Sequence, residues 1–125
     1  MRIEDPDAGH NAFRTVRSVG TEGIDVLTID RVMKEFDTAV PFIVKIDIEG
    51  FESDLFSSNT EWIRRFPLIL IELHDWLLPG QACSQNFLKA ISAENRDFVH
   101  QGETIFSISN HLLPLRCPTA AAGSK

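Results

Sequence analysis

Phe42-Ile43-Val44-Lys45-Ile46-Asp47-Ile48-Glu49-Gly50 is the stretch whose reading decides the fold. It is apolar on both faces as far as Ile46, interrupted only by Lys45, and it ends in acidic residues and a glycine. A strand with one wet face alternates apolar and polar residues, whereas one that is apolar throughout reads as buried between two helical layers, as in a parallel sheet. Leu68-Ile69-Leu70-Ile71-Glu72-Leu73-His74 repeats the pattern after Pro67. Between the two, Phe51, Leu55 and Phe56 predict a helix, and Thr60 starts a short turn carrying Trp62, Ile63 and Phe66. Strand, helix and strand within about 30 residues make a βαβ unit with parallel strands and a right-handed crossover.

Working outward, residues 24–27 read as a short strand and Thr28 as the N-cap of a helix. Ile29, Val32, Met33 and Phe36 follow at i, i+3, i+4 and i+7, the stripe of an amphipathic helix. Downstream, Pro79-Gly80 marks a turn, and a third helix is expected with Phe87, Leu88 and Ile91 on its inner face. Residues 97–100 and 104–109 predict an antiparallel hairpin through Gln101-Gly102-Glu103. The expected organisation is an irregular segment over residues 1–23, weakly extended at 13–19, a folded unit over 24–111, and a frayed tail over 112–125. The fold class is α/β, with parallel strands and a C-terminal antiparallel hairpin.

Composition narrows the classes of function. At 125 residues the chain is one domain, and 43% hydrophobic with 24% charged residues describes a globular chain rather than a disordered one. A net charge of −6 speaks against a nucleic-acid partner. Met1-Arg2-Ile3-Glu4-Asp5-Pro6 has no apolar run of the kind a signal peptide needs. No stretch offers the roughly 20 apolar residues of a membrane span. Cys83 and Cys117 stand without metal-type neighbours and read as free thiols in a reducing compartment, so the cytoplasm is the expected location.

The chemistry lies where the two apolar strands end. Ligands of open α/β sheets bind outside the carboxyl ends of the strands. Alternation puts Asp47 and Glu49 on one side, and Glu72 and His74 likewise on one side. Carboxylates meeting at one rim raise each other's pKa, and Lys45, a divalent cation or a cationic ligand such as a sulfonium would compensate them. Plainer roles stand beside these. Asp47 and Glu49 suit a helix start, Gly50 gives backbone freedom, and Lys45 is an ion-pair partner before it is a catalytic amine. His74 equally reads as a satisfied histidine at a sheet edge, Trp62 and Trp76 as core or lid, and Arg64-Arg65 as a solvated helix end.

Lys45-Ile46-Asp47-Ile48-Glu49-Gly50-Phe51-Glu52 resembles the K-I-D-I/V-E-G-x-E signature of FkbM-type methyltransferases. Leu70-Ile71-Glu72-Leu73-His74-Asp75 is similar to that family's next strand, and Thr28-Ile29-Asp30-Arg31-Val32 to its preceding helix start. Pro79-Gly80, Cys83-Ser84 and Gly102-Glu103 add to a likeness that spans residues 9–110. The resemblance implies part of a class I, Rossmann-like methyltransferase sheet. It further implies S-adenosylmethionine as donor and a hydroxyl of a sugar, glycolipid or polyketide-like molecule as acceptor. It assigns Asp47, Glu72 and His74 to catalysis, with His74 or Asp47 removing the hydroxyl proton, and Asp47, Glu49 and Gly50 to the cofactor. No residue is assigned to a metal, although Mg²⁺ held by Asp47 and Glu72 is an alternative way to lower the hydroxyl pKa. Two other classes remain: a metal-dependent hydrolase or nuclease built on the same carboxylates, and a non-catalytic interaction module with a solvated acidic rim.

The sequence departs from the family in one respect. It holds no G-x-G-x-x-G turn to cradle the donor, so a truncated product, an excised fragment or a degenerate relative is expected. Strand 42–47 should then have an exposed edge, covered by residues 13–19 or by self-association. The 125 residues alone are expected to lack useful affinity for the donor and so to be inactive as an isolated chain. Calorimetric titration of the chain with S-adenosylmethionine should show no micromolar binding; a micromolar dissociation constant would refute this.

Overall fold

The computed structural model describes residues 26–112, together with two short strands, β1 (Arg2–Glu4) and β2 (Arg14–Val16), which pair antiparallel. The remaining strands, β3 (Ile43–Ile46), β4 (Leu68–Glu72), β5 (Arg96–Gln101) and β6 (Thr104–Ser109), form one mixed sheet in the order β3-β4-β6-β5. β3 and β4 are parallel, with Ile46 opposite Ile71, as the βαβ reading predicts. β5 and β6 form the expected hairpin, and Gly102 at φ 61° takes the first central position of its two-residue turn, where a glycine lets the strands twist correctly.

Helix α1 (Ile29–Glu35) starts as read: the Thr28 hydroxyl accepts from the Arg31 N–H at 3.2 Å. Its stripe is only half used, since Ile29 and Met33 pack on the core while Val32 and Phe36 stay exposed. The helix expected around Phe51–Phe56 shortens to one turn, α2 (Glu52–Leu55). Both the N–H and the hydroxyl of Ser57 turn onto the carbonyl of Asp54, and Asn59 adopts φ 53°, which ends the helix. A 3₁₀ helix (Glu61–Arg65) and α3 (Gln85–Ser92) are the other helical segments among the described residues.

One face of the sheet makes the core. Ile46, Ile69 and Ile71 meet Phe56, Trp62, Ile63, Phe66, Phe87 and Ile91, and Phe56 sets its ring edge against Phe87 at 5.1 Å. Trp62 is therefore core. The expectation of helices on both faces is corrected for the described residues: Phe42, Ile43 and Val99 are exposed, and Leu68, Leu70 and Phe106 only half-buried. Every described helical segment contributes to the single cluster on the other side. Two further expectations change. Val26 and Leu27 lie in no strand, residues 24 and 25 being outside those described. The described part of segment 13–19 is β2, which pairs with β1 rather than with the edge of β3.

At the end of the sheet away from the acidic residues, Arg96 is buried and spends its guanidinium on neutral acceptors. It donates to Ser107 Oγ at 2.7 Å and Ser107 O at 2.8 Å, to Phe66 O at 3.0 Å, and to Ile63 O and Pro67 O at 3.3 Å. Burial lowers its pKa, because the charged form has lost water. The planar fork ties the exit of the 3₁₀ helix and the start of β4 to β6. Arg96→Met should destabilise the chain by about 3 kcal/mol in urea denaturation, the scale of breaking a buried hydrogen-bonded network. Arg96→Lys should not rescue it, since one ammonium cannot reach so many acceptors; full stability in either variant would refute the role.

Candidate functional site

The candidate site stands at the carboxyl ends of the parallel pair. Leaving β3, the chain turns on Glu49 at φ 50° and Gly50 at φ 93°, and the Phe51 N–H closes onto Ile48 O at 3.2 Å. Two successive positive φ values define a tight primed turn, an unusual conformation for a glutamate. Gly50 is required twice over, because a Cβ there would lie 2.7 Å from Leu78 Cδ1. That close approach packs the loop after β3 against the loop after β4.

The turn delivers Glu52, at the start of α2, beneath the end of β4. Its side chain has no exposed surface, and its Oε1 lies 2.5 Å from Nδ1 of the buried His74. The other carboxyl oxygen, Oε2, is buried without a hydrogen-bond partner. On the outer side, His74 Nε2 faces Asp47 Oδ1 at 3.8 Å, too far for a hydrogen bond. Lys45 Nζ is 3.0 Å from Asp47 Oδ2 and 3.6 Å from Glu72 Oε1, which also accepts from the Thr104 hydroxyl at 3.2 Å. One ligand-type atom each from Asp47, Glu72 and His74 falls within 4.8 Å of the others.

The predicted residues are thus brought together in part. Asp47, Glu72 and His74 converge, and Lys45 is the ion-pair partner foreseen for it. Glu49 stands beside this trio, and its pKa is raised, chiefly by burial, with the charges of Asp47 and Glu52 adding and that of His74 opposing. Lys45 has a raised pKa because Asp47 accepts its hydrogen bond and both Asp47 and Glu72 attract its charge. Neither Asp47 nor Glu49 caps α2, whose N-cap is Phe51 with no side-chain hydrogen bond. Trp76 is exposed, with its ring centroid 6.3 Å from that of His74, a lid's position rather than a core one. Cys83 is a free, buried thiol whose pKa is raised mainly by burial, so it is inert; Cys117 lies outside the described residues.

Glu52 is the residue the sequence reading passed over. A glutamate in a first helical turn normally faces water, and its place as the last letter of the octapeptide was the available signal. A cavity of about 600 Å³ adjoins the site without containing Asp47, Glu72 or His74. It runs between α1 and β3, shares Lys45 and Ile48 with the rim, and is walled by Val26, Leu27, Leu55 and Trp62.

These features define a buried acid–base pair opening onto a carboxylate rim, at the strand ends of a mixed α/β sheet. The chain belongs to the FkbM methyltransferase domain family, whose model matches residues 2–101, a span that includes Lys45, Asp47, Glu49, Glu52, Glu72 and His74. Methyltransferases of this kind use S-adenosylmethionine in general. Comparison with curated proteins and with solved structures gives no match. No described helix is long and apolar enough to cross a membrane.

Since Asp47 caps nothing, Asp47→Asn should keep the fold and leave the unfolding free energy within about 1 kcal/mol of the parent, less than a typical lost cap. Urea denaturation at neutral pH checks this. A larger loss would return Asp47 to a structural role.

Proposed function

We propose that this site serves methyl transfer from S-adenosylmethionine to a hydroxyl of a sugar, glycolipid or polyketide-like acceptor, with His74 as the proton acceptor. The parallel pair of β3 and β4 is read as part of a Rossmann-like class I sheet. The observation that carries the proposal is the contact of buried Glu52 with His74 Nδ1. With Glu52 as the carboxylate and the imidazole neutral, Nδ1 holds the shared proton and Nε2 keeps its lone pair, directed at the rim.

An acceptor hydroxyl placed between His74 and Asp47 would donate to Nε2. Its oxygen would take up the methyl group that the sulfonium supplies, the sulfur keeping the bonding electrons, and the proton would pass to the imidazole at Nε2. Glu52 stabilises the imidazolium so formed. Asp47 and Lys45 orient the oxygen, and proximity of this sort accounts for much of such a rate. The acidic rim suits a positive sulfonium, which when bound supplies the activated methyl group. The apolar walls of the adjoining cavity favour an acceptor with an apolar portion.

Because donor affinity is expected to be weak, the test uses millimolar methyl-labelled S-adenosylmethionine and a panel of glycoside, glycolipid and polyketide alcohols. Label should appear on oxygen, and His74→Gln should slow its transfer about 10²–10⁴-fold, the contribution of a positioned general base. No labelled ether from any acceptor, or an unchanged rate in His74→Gln, overturns the proposal.

A further inference from the structure

We infer that Asp47, Glu72 and His74 form a binding site for one divalent metal ion of the Mn²⁺ or Zn²⁺ class, at the place where Lys45 now holds its ammonium. The inference goes beyond methyl transfer and does not depend on it.

Three observations converge. First, one donor atom from each of the three side chains lies within 4.8 Å of the others, a spread that small rotations of Asp47 and Glu72 close to a single coordination shell. Second, the His74 side chain is nine-tenths buried, yet its Nε2 has no hydrogen-bond partner, the nearest carboxyl oxygen being 3.8 Å away. At the mouth of this mostly buried side chain Nε2 faces Asp47 and Glu72 and is hydrogen-bonded to neither, so its lone pair is open to a cation. Third, Nδ1 is engaged by Glu52. Metal-binding histidines almost always donate their second N–H to a carboxylate, which fixes the tautomer and raises the basicity of the ligating nitrogen. The orphaned Oε2 of Glu52 agrees with this, since a buried carboxyl lacking half its hydrogen bonds gains from a positive charge across the imidazole.

The donor set selects the ion. Two carboxylates and one imidazole suit Mn²⁺ or Zn²⁺ better than Ca²⁺ or Mg²⁺, which prefer oxygen alone. Lys45 is the internal competitor. It contacts Asp47 and Glu72 from an exposed stem and can swing into water without disturbing the core. Ion and proton compete for the same lone pair on Nε2, so a loaded site does not act as the proton acceptor.

The test is a titration of the 125-residue chain with Mn²⁺ in a non-chelating buffer, followed by loss of the free-ion electron paramagnetic resonance signal. Zn²⁺ calorimetry runs in parallel. One ion per chain is expected, with His74→Ala weakening binding at least tenfold. Glu52→Gln, which keeps the volume of the side chain, should weaken it about 10–100-fold, as outer-shell changes do. Lys45→Met should tighten it severalfold by removing the competitor, and as a surface change it leaves the fold available for measurement whatever Glu52→Gln does. Binding that is identical in His74→Ala and Asp47→Asn would be surface association and overturns the site. So does the absence of binding at millimolar ion in both the parent and Lys45→Met.

Discussion

A carboxyl group with no exposed surface, Glu52, rests against the imidazole of His74, and the arrangement of the site follows from that contact. Burying a carboxyl is tolerable only beside a proton it can accept or share. Glu52 can reach His74 only if the chain reverses directly after β3, which is what Glu49 and Gly50 do with consecutive positive φ values. The reversal in turn brings Gly50 against Leu78 and locks the two post-strand loops together. Helix propensity contributes little, since α2 is one turn long and has no side-chain cap. Its position is set by the buried pair and by Leu55 and Phe56 at the core.

The far end of the sheet uses the opposite sign of charge for a different purpose. Arg96 meets only neutral acceptors, so its guanidinium works as a clamp on backbone carbonyls and on Ser107. β4 lies between two buried ionisable side chains of opposite sign: Arg96 binds where the strand begins, at Pro67, and Glu52 binds just past its end, at His74. The central strand is held at both ends by groups that tolerate little displacement. The separation also keeps the structural cation away from the acidic rim, where Lys45 is the positive charge that meets Asp47 and Glu72.

Much of this was legible in the sequence where periodicity had one meaning. Apolar runs around Val44 and Ile69, the Thr28 cap and the Gly102 turn each carry a local signal, and each forms as read. The convergence of Asp47, Glu72 and His74 followed from strand alternation together with the rule for strand ends. Tertiary choices escaped. An apolar strand cannot say whether its second face is covered, and Ile43 and Phe42 stay exposed among the described residues. The burial of Glu52 and Arg96 was equally invisible, because composition ranks both residue types as surface ones. Only the distant partner, a histidine 22 residues on or a set of carbonyls about the 3₁₀ helix, makes burial favourable.

Exposure along the contacts of the site rises in one direction. The Glu52 side chain is 0% exposed, His74 10%, Asp47 39% and Lys45 55%. Each neighbour in this series is therefore better solvated than the one before, and the cost of holding charge falls outward. A positive charge arising on His74, whether from a proton or from an ion, is felt by Glu52 in a poorly screened interior and by Asp47 in a well screened one. The inner carboxyl thus holds the ring's orientation, while the outer one is shared between Lys45 and water. Glu72, at 23%, lies between these limits and is steadied by Thr104 on β6, the strand that Arg96 anchors from its other end. Site and clamp thus share β6 and the β4 segment as their supports, and among the described residues no ion pair joins them.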